Sequence, residues 1–85
     1  MKLKFYNDPG HGWLAVKRSF LEKHVDPKTI SSYSYQRNDM VYLEEDCDAP
    51  KLIGVLRKAG VALEFVDCHT NRSSKIRSYA HFRSA

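Results

Sequence analysis

Turn and helix-end signals divide this chain into segments that are long enough only for short strands and short helices. The signals are NDPG at 7–10, DP at 26–27, ND at 38–39, DAP at 48–50 and the glycine at 60. Proline fixes φ, glycine and asparagine tolerate positive φ, and the residue before a proline disfavours the helical region. Because the whole chain has 85 residues, these breaks predict one small domain with a single thin core.

The segments between the breaks carry either strand or helix patterns. Strand-like patterns cover 12–17, 30–37, 40–45 and 61–68, whereas apolar residues recur at helical spacing in 19–25 and after Asp48. The order strand, helix, strand, strand, helix, strand is typical of the ferredoxin-like split βαβ fold. We therefore predict an α+β protein with a four-stranded antiparallel sheet and two helices on one of its faces.

The two ends of the chain lie outside this pattern, within what we treat as a single domain over 1–85. We expect residues 1–9 to form an arm or an edge strand, and residues 70–85 to form a basic, partly irregular tail. Ile76, Tyr79 and Phe82 recur at every third position, which favours a short helical turn or an extended segment anchored by its rings. An exposed edge strand leaves open a homodimer formed by strand addition.

The composition restricts the class of protein. Hydrophobic residues make up 42% of the chain and charged residues 28%, which is ordinary for a globular domain. No apolar run approaches the roughly 20 residues of a membrane-spanning helix, and the N-terminus has no signal-peptide pattern. We expect a cytoplasmic protein without membrane contacts. Cys47 and Cys68 are then expected to be free thiols, although the sequence leaves their pairing open.

Charge is distributed unevenly along the chain. The formal net charge is +4, and such an excess favours contact with nucleic acid or with an acidic protein surface. Basic residues are concentrated in the tail. Acidic residues are concentrated in an acidic cluster formed by Glu44, Glu45, Asp46 and Asp48. Two interpretations of the tail stay open: Arg77 forms an ion pair with the acidic cluster, or the tail arginines bind a phosphate or carboxylate of a partner.

The sheet face without helices is a candidate binding surface. Its candidate residues carry an aromatic ring or a positive charge: Trp13, Tyr33, Tyr35, Tyr42, Lys17 and Arg37. Aromatic rings on an open sheet face can stack nucleic-acid bases, but tyrosines in strands also pack against their neighbours across the sheet. The glycine-and-aromatic signature of the RNA-recognition domain is absent, and Glu44 and Glu64 on this face would repel phosphates.

No catalytic or metal-binding constellation is evident. Glu44 and Glu45 are strand neighbours, so their side chains point to opposite faces and do not easily share an ion. We expect Asp48 to cap the second helix instead. Cys68 and His69 are also strand neighbours, which disfavours a nucleophile and base pair. We therefore expect no enzymatic activity, no cofactor and no metal.

Several blocks of the sequence resemble a group of small proteins encoded by bacteriophages, plasmids and other bacterial mobile elements. The blocks are GHGWLAV at 10–16, SSYSYQR at 31–37, VYLEEDCDA at 41–49 and HTNRSSKIRSY at 69–79. The resemblance implies a genomic setting in a bacterial host, and it transfers no catalytic or binding residue. Small proteins of mobile elements are often binders, such as inhibitors of host defence or regulators of host enzymes.

These observations predict a non-enzymatic binding protein that occupies a host protein or nucleoprotein surface, including an inhibitor of host defence of the anti-CRISPR or anti-restriction type. Aromatic and arginine side chains are common anchors of such interfaces. The predicted binding residues are Tyr33, Tyr35, Arg37, Tyr42, Glu44, Glu45, Arg72 and Arg77. The alternative is a module that binds single-stranded DNA or RNA through the open sheet face, with an affinity that falls steeply with salt.

Overall fold

Six β-strands and two α-helices make up the protein in a computed structural model that describes residues 1–85. The strands are β1 Lys2–Asn7, β2 Gly12–Lys17, β3 Tyr35–Arg37, β4 Met40–Glu44, β5 Glu64–His69 and β6 Ala80–His81. The helices are α1 Arg18–His24 and α2 Ala49–Lys58, and short 3-10 turns lie at Pro27–Thr29 and Lys75–Ser78. The predicted α+β class is confirmed. No helix combines the length and the apolar character that crossing a membrane requires.

The strands form one mixed sheet in the order β5-β1-β2-β4-β3-β6. Every neighbouring pair is antiparallel except β1 and β5, which run parallel. The sheet therefore has six strands and a parallel pair instead of the four antiparallel strands that we predicted. Strand β1 is neither an arm nor an edge strand, because it lies between β5 and β2. Strand β6 extends the sheet beyond β3.

The turn between β1 and β2 explains the position of β1. The N–H of Asp8 donates to the carbonyl of His11 at 2.9 Å, and the Asp8 carboxylate accepts the N–H groups of Gly10 and His11. This tight turn folds β1 back onto the flank of β2 that a ferredoxin-like order would give to β5. At Gly12, a side chain would overlap the ring of Phe5 on the neighbouring strand.

The hydrophobic core lies between the helices and one face of the sheet. Leu14 of β2 is paired with Leu43 of β4, and Val16 is paired with Val41. Both helices cover these pairs, and the core residues from strands and helices are 3% exposed or less: Leu14, Val16, Leu21, Val41, Leu43, Leu52 and Leu56. Each such side chain contributes about 1.5–3 kcal/mol through burial. The opposite face of the sheet is therefore left for other contacts.

Residues 31–34 form a turn, although we predicted a strand over 30–37, and only Tyr35–Arg37 is extended in the sheet. The hydroxyls of Ser31 and Ser34 donate to Asp48 Oδ2 at 2.7 and 2.5 Å. Ser34 Oγ also accepts the N–H of Glu44 at 2.9 Å. Because these serine side chains form hydrogen bonds with Asp48 and Glu44, they favour a turn at 31–34 over a continuation of the strand.

Asp48 occupies the N-cap position of α2, but it makes no side-chain capping bond, contrary to our prediction. Its carboxylate is turned back toward the 31–34 turn, where it accepts the two serine hydroxyls and the N–H of Ser31 at 3.0 Å. Lys51 completes the group, with its Nζ 3.4 Å from Asp48 Oδ1. The residue therefore ties two distant segments together instead of capping its own helix.

Candidate functional site

The C-terminal part of the chain crosses the sheet face that the helices leave open. After β5, at one edge of the sheet, the chain returns over this face and reaches β6 at the other edge. Ile76 is 3% exposed there, and Tyr79 packs against Tyr42 with ring centroids 5.3 Å apart. We call residues 70–79 the crossing segment, and it covers only part of the open face.

A two-pronged ion pair between Asp8 and Arg77 fixes the crossing segment. Arg77 donates from Nε to Asp8 Oδ2 at 2.7 Å and from its terminal nitrogen to Oδ1 at 2.9 Å. The N–H of Ser74 donates to Asp8 Oδ2 at 2.8 Å. These bonds hold the pKa of Asp8 far below its ordinary value, with Arg77 as the largest cause and Ser74 as the next. The hydrogen bonds to Asp8 in turn raise the pKa of Arg77.

Arg77 therefore pairs with Asp8 and not with the acidic cluster, in contrast to one of our two interpretations of the tail. The acidic cluster has other partners. Asp48 is fully buried, and although burial acts to raise its pKa, the bonds from Ser34 and Ser31 hold that pKa below its ordinary value. A buried carboxylate that is already satisfied is not available to an arginine or to a partner.

Glu44 is also turned inward. It is 7% exposed, and its Oε2 accepts the N–H groups of Asp46 at 3.0 Å and Cys47 at 2.7 Å. A hydrogen bond with Glu44 raises the pKa of the Cys47 thiol, so this thiol is less readily ionised than an ordinary one. Cys47 and Cys68 are both free, which confirms the expectation for the two thiols.

The uncovered part of the open face is a groove with a floor of tyrosines. A cleft of about 570 Å³ lies between the crossing segment and β1, β4 and β5. A second cleft of about 540 Å³ lies toward the start of β1 and the end of β2. Tyr6 and Tyr42 line both clefts, and their rings meet edge to face with centroids 6.2 Å apart. We call the two clefts together the tyrosine groove.

Basic side chains line both ends of the tyrosine groove, and no carboxylate lines either cleft. Glu64, which we expected to repel phosphates, lies on the edge strand 3.7 Å from Lys2 Nζ. All the basic residues of the groove are exposed: Lys2, Lys4, Lys17, Arg72 and Lys75. The groove therefore presents positive charge around aromatic rings.

Further polar groups of the tyrosine groove lie around Tyr42 and Tyr79. Arg37 stacks over the ring of Tyr79 at 5.1 Å and donates to its hydroxyl at 3.2 Å. Burial, followed by the neighbouring phenols of Tyr79 and Tyr6, raises the pKa of Tyr42. Tyr42 is therefore a neutral phenol at physiological pH, so it can stack and donate a hydrogen bond without repelling an anion.

A separate cleft of about 440 Å³ lies beside Trp13 and is lined by both aromatic and acidic residues. Trp13 is 2% exposed, with Arg77 over its ring at 5.3 Å and the ring of Tyr35 edge-on at 6.2 Å. The indole Nε1 of Trp13 has no hydrogen-bond partner. Tyr33 stands at this tryptophan cleft and is 68% exposed.

The structure distributes the predicted binding residues over three places. Tyr42 and Arg72 line the tyrosine groove, and Arg37 borders it through Tyr79. The tryptophan cleft brings together Tyr33, Tyr35, Glu44 and Arg77. Glu45 lies beside the β1–β2 turn, where its N–H donates to the carbonyl of Gly12 at 3.0 Å.

Tyr6, Lys2 and Lys4 line the groove but are not among the predicted binding residues, because we expected an arm or an edge strand over 1–9. The signal was present, since Lys2, Lys4 and Tyr6 alternate and therefore share one face of any strand formed by this segment. For Asp8 the sequence predicts only a role in the turn at 7–10. Its pairing with Arg77 joins the two ends of the chain, and no local pattern reports such a contact.

His69 and Cys68 do not form a catalytic pair in this structure. Both residues line the tyrosine groove, but the His69 ring bonds to the side chains of Asn7 and Asn71, whereas the Cys68 thiol donates to the carbonyl of Val66. Comparisons with protein-family models, curated proteins and solved structures found no match for this chain. Exposed basic side chains around two phenol rings make the tyrosine groove chemically suited to an extended anion that carries flat rings.

Proposed function

We propose that this protein is a small, non-enzymatic binding protein that holds single-stranded DNA or RNA in the tyrosine groove. The observation that carries the proposal is the lining of the groove, where exposed lysine and arginine side chains surround Tyr6 and Tyr42 without any carboxylate. Bases of any sequence stack on aromatic rings, and basic side chains neutralise the phosphates between them. The resemblance to mobile-element proteins supports a role in the cytoplasm of a bacterial host.

The tyrosine floor favours a single strand over a duplex. The bases of a duplex are stacked inside it and present only their edges, so tyrosines on a sheet reach base faces only when those bases are unpaired. The neutral phenol of Tyr42, half-buried between Tyr6 and Tyr79, offers one such ring. Lys4 and Lys17 on one side, and Arg72 and Lys75 on the other, then lie where a backbone that crosses the floor would pass.

The proposal predicts binding that weakens steeply with salt. Each phosphate neutralised on a single strand contributes about −0.7 to the slope of log K against log salt. We expect the double variant Lys4→Gln/Lys17→Gln to reduce the slope by about 1.4 and to weaken binding at low salt. Fluorescence anisotropy with a labelled oligothymidine, titrated at several salt concentrations, measures both effects.

The matched control is Lys23→Gln/Lys58→Gln, which removes the same charge from the helix side of the protein. We expect the control to bind almost like the wild type. Tyr42→Leu tests stacking and is expected to cost about 1–3 kcal/mol of binding free energy. No binding at low salt, or equal losses in the two double variants, would exclude the groove as the binding site.

A second candidate function is binding to a host protein or nucleoprotein surface, as expected of an inhibitor of host defence. It is supported by Tyr33, which is 68% exposed beside the tryptophan cleft. Exposed tyrosines next to a pocket are frequent anchors of protein interfaces. In a pull-down from host lysate, a specific partner should be lost with Tyr33→Ala, kept with Ser32→Ala and not displaced by oligonucleotide. Recovery of the same proteins with Tyr33→Ala counts against this surface.

A further inference from the structure

Three side chains with metal-binding atoms meet where the β1–β2 turn faces the end of β4. One ring nitrogen of His11 and one carboxylate oxygen each of Glu44 and Glu45 lie within 4.8 Å of one another. Glu44 Oε1 and His11 Nδ1 are 3.9 Å apart. These residues line neither cleft of the tyrosine groove, so the cluster is independent of the nucleic-acid proposal.

We propose that His11, Glu44 and Glu45 bind a divalent transition-metal ion of the Zn²⁺ type. One imidazole and two carboxylates form a ligand set that suits Zn²⁺, and a site with three protein ligands keeps a further position for water or another ligand. Ca²⁺ and Mg²⁺ fit less well, because they take oxygen ligands and leave imidazole unused.

The Glu44 carboxylate is held by the backbone through one oxygen and presents the other oxygen to His11. Its side chain is only 9% exposed, and the two backbone N–H groups that it accepts both bind Oε2. Oε1 lies 3.9 Å from His11 Nδ1, a gap that is longer than a hydrogen bond. A cation between Oε1 and Nδ1 would contact both atoms and leave the backbone bonds of Oε2 intact.

The backbone around the cluster holds two of its ligands in position. The N–H of His11 donates to Asp8 Oδ1 at 3.0 Å, and the N–H of Glu45 donates to the carbonyl of Gly12 at 3.0 Å. A Cβ at Gly12 would lie 3.0 Å from Glu45 Oε2. The glycine therefore leaves room for the carboxylate beside the histidine. Such support from surrounding residues is what a metal site requires in order to keep its geometry.

The end of strand β4 explains how two consecutive glutamates reach the same histidine. Glu44 and Glu45 are consecutive, and we expected them to point to opposite faces and to share no ion. Strand β4, however, ends at Glu44. Glu45 lies in the following turn and is free of the strand alternation, so both carboxylates reach the same histidine. Our expectation that the two carboxylates share no ion assumes a strand that continues through Glu45, whereas β4 ends at Glu44.

The experiment is a calorimetric titration of chelator-treated, full-length protein with ZnCl₂. We expect a single ion per chain and an increase in Tm on binding. His11→Ala and Glu45→Gln should each weaken binding by on the order of 10–100-fold or more. His24→Ala and Glu22→Gln, which change α1 instead, serve as matched controls and should bind like the wild type. Glu44 is left intact because it also holds the backbone of the turn.

A second measurement does not depend on any variant. In the wild-type protein, Zn²⁺ should shift the ring resonances of His11 and leave those of His24, His69 and His81 in place. No uptake of Zn²⁺ at millimolar concentration would overturn the proposal. Shifts confined to the other histidines would overturn it as well. In the calorimetric titration, unchanged uptake by the double variant His11→Ala/Glu45→Gln would have the same consequence. None of these results bears on the salt titration with oligonucleotide, so the metal proposal can be rejected while the nucleic-acid proposal stands, and the reverse.

Discussion

Asp8 is the residue that links the first hairpin to the end of the chain. Its carboxylate accepts bonds from Arg77 and from the backbone of Ser74, Gly10 and His11. Together they keep its folded-state pKa below the ordinary value of 3.8. A carboxyl group with a lowered folded-state pKa contributes stability above its unfolded-state pKa. That contribution is lost as the pH falls through the folded-state pKa.

We therefore expect the stability difference between the wild type and Asp8→Asn to depend on pH. The wild type should have the higher Tm, by a constant margin between about pH 7 and about pH 5. The margin should shrink below about pH 4, as the unfolded chain takes up the proton that the folded Asp8 resists. Thermal unfolding followed by circular dichroism measures both proteins. A margin that stays constant down to strong acid would show that the Asp8 charge contributes nothing.

Ser34 is a second residue whose role is set by burial. It is fully buried, it donates to Asp48 Oδ2, and it accepts the N–H of Glu44. Ser34→Ala leaves both groups without this partner, which we expect to cost about 1–3 kcal/mol of unfolding free energy. Urea denaturation measures the cost. Ser32→Ala, an exposed serine two residues earlier, is the matched control and should change stability little.

At the scale of elements, Arg77 supplies the ion pair that attaches the crossing segment near Trp13. Arg77→Ala removes the ion pair to Asp8, and we expect the amides of Ser74 and Tyr79 to exchange faster with solvent while those of β2 and β4 stay protected. Hydrogen exchange read by NMR measures this at each residue. Arg83→Ala is the control, since this exposed arginine makes no side-chain bond. Exchange that stays slow in Arg77→Ala would mean that the buried Ile76 alone holds the segment.

Several elements could be predicted from the sequence because their signals are local. Strand β2 coincides with the predicted 12–17, and α2 follows Asp48 and ends before Gly60, whose φ of 79° favours glycine. Asn38 in the turn between β3 and β4 adopts a positive φ of 54°, as the turn chemistry predicted. In these places the hydrophobic period and the turn residue agree, and the tertiary structure does not oppose them.

The remaining features depend on contacts between distant residues, and the sequence carries no local sign of them. The strand predicted over 30–37 is shortened because Asp48, which lies on another element, binds Ser31 and Ser34. The parallel pairing of β1 with β5 joins opposite parts of the chain. The candidate site shares this limit, since Tyr42 could be placed on the open face but Tyr6 could not.

At the scale of the whole molecule, the sheet separates an apolar side under the helices from a charged side that carries the groove. The apolar side supplies most of the stability, and the free energy of unfolding of a domain is only roughly 0.05–0.15 kcal/mol per residue.

Leu43→Ala, at the centre of the sheet, should cost about 2–5 kcal/mol of unfolding free energy. The urea midpoint measures this loss. Leu63→Ala is the control, and because Leu63 is only half-buried, it should cost less. Equal losses would mean that the core is not centred on β4.

The burial of Trp13 has a practical consequence. It is the single tryptophan of the chain, and the guanidinium of Arg77 lies over its ring at 5.3 Å. Tryptophan fluorescence, excited at a wavelength that tyrosine does not absorb, therefore reports from one site only, directly beneath the crossing segment. An indole at 2% exposure emits toward the blue, and lifting the segment would let in water and move the emission toward the red. The emission of Trp13 can therefore be used, without any added label, to follow the displacement of the crossing segment in real time at low protein concentration.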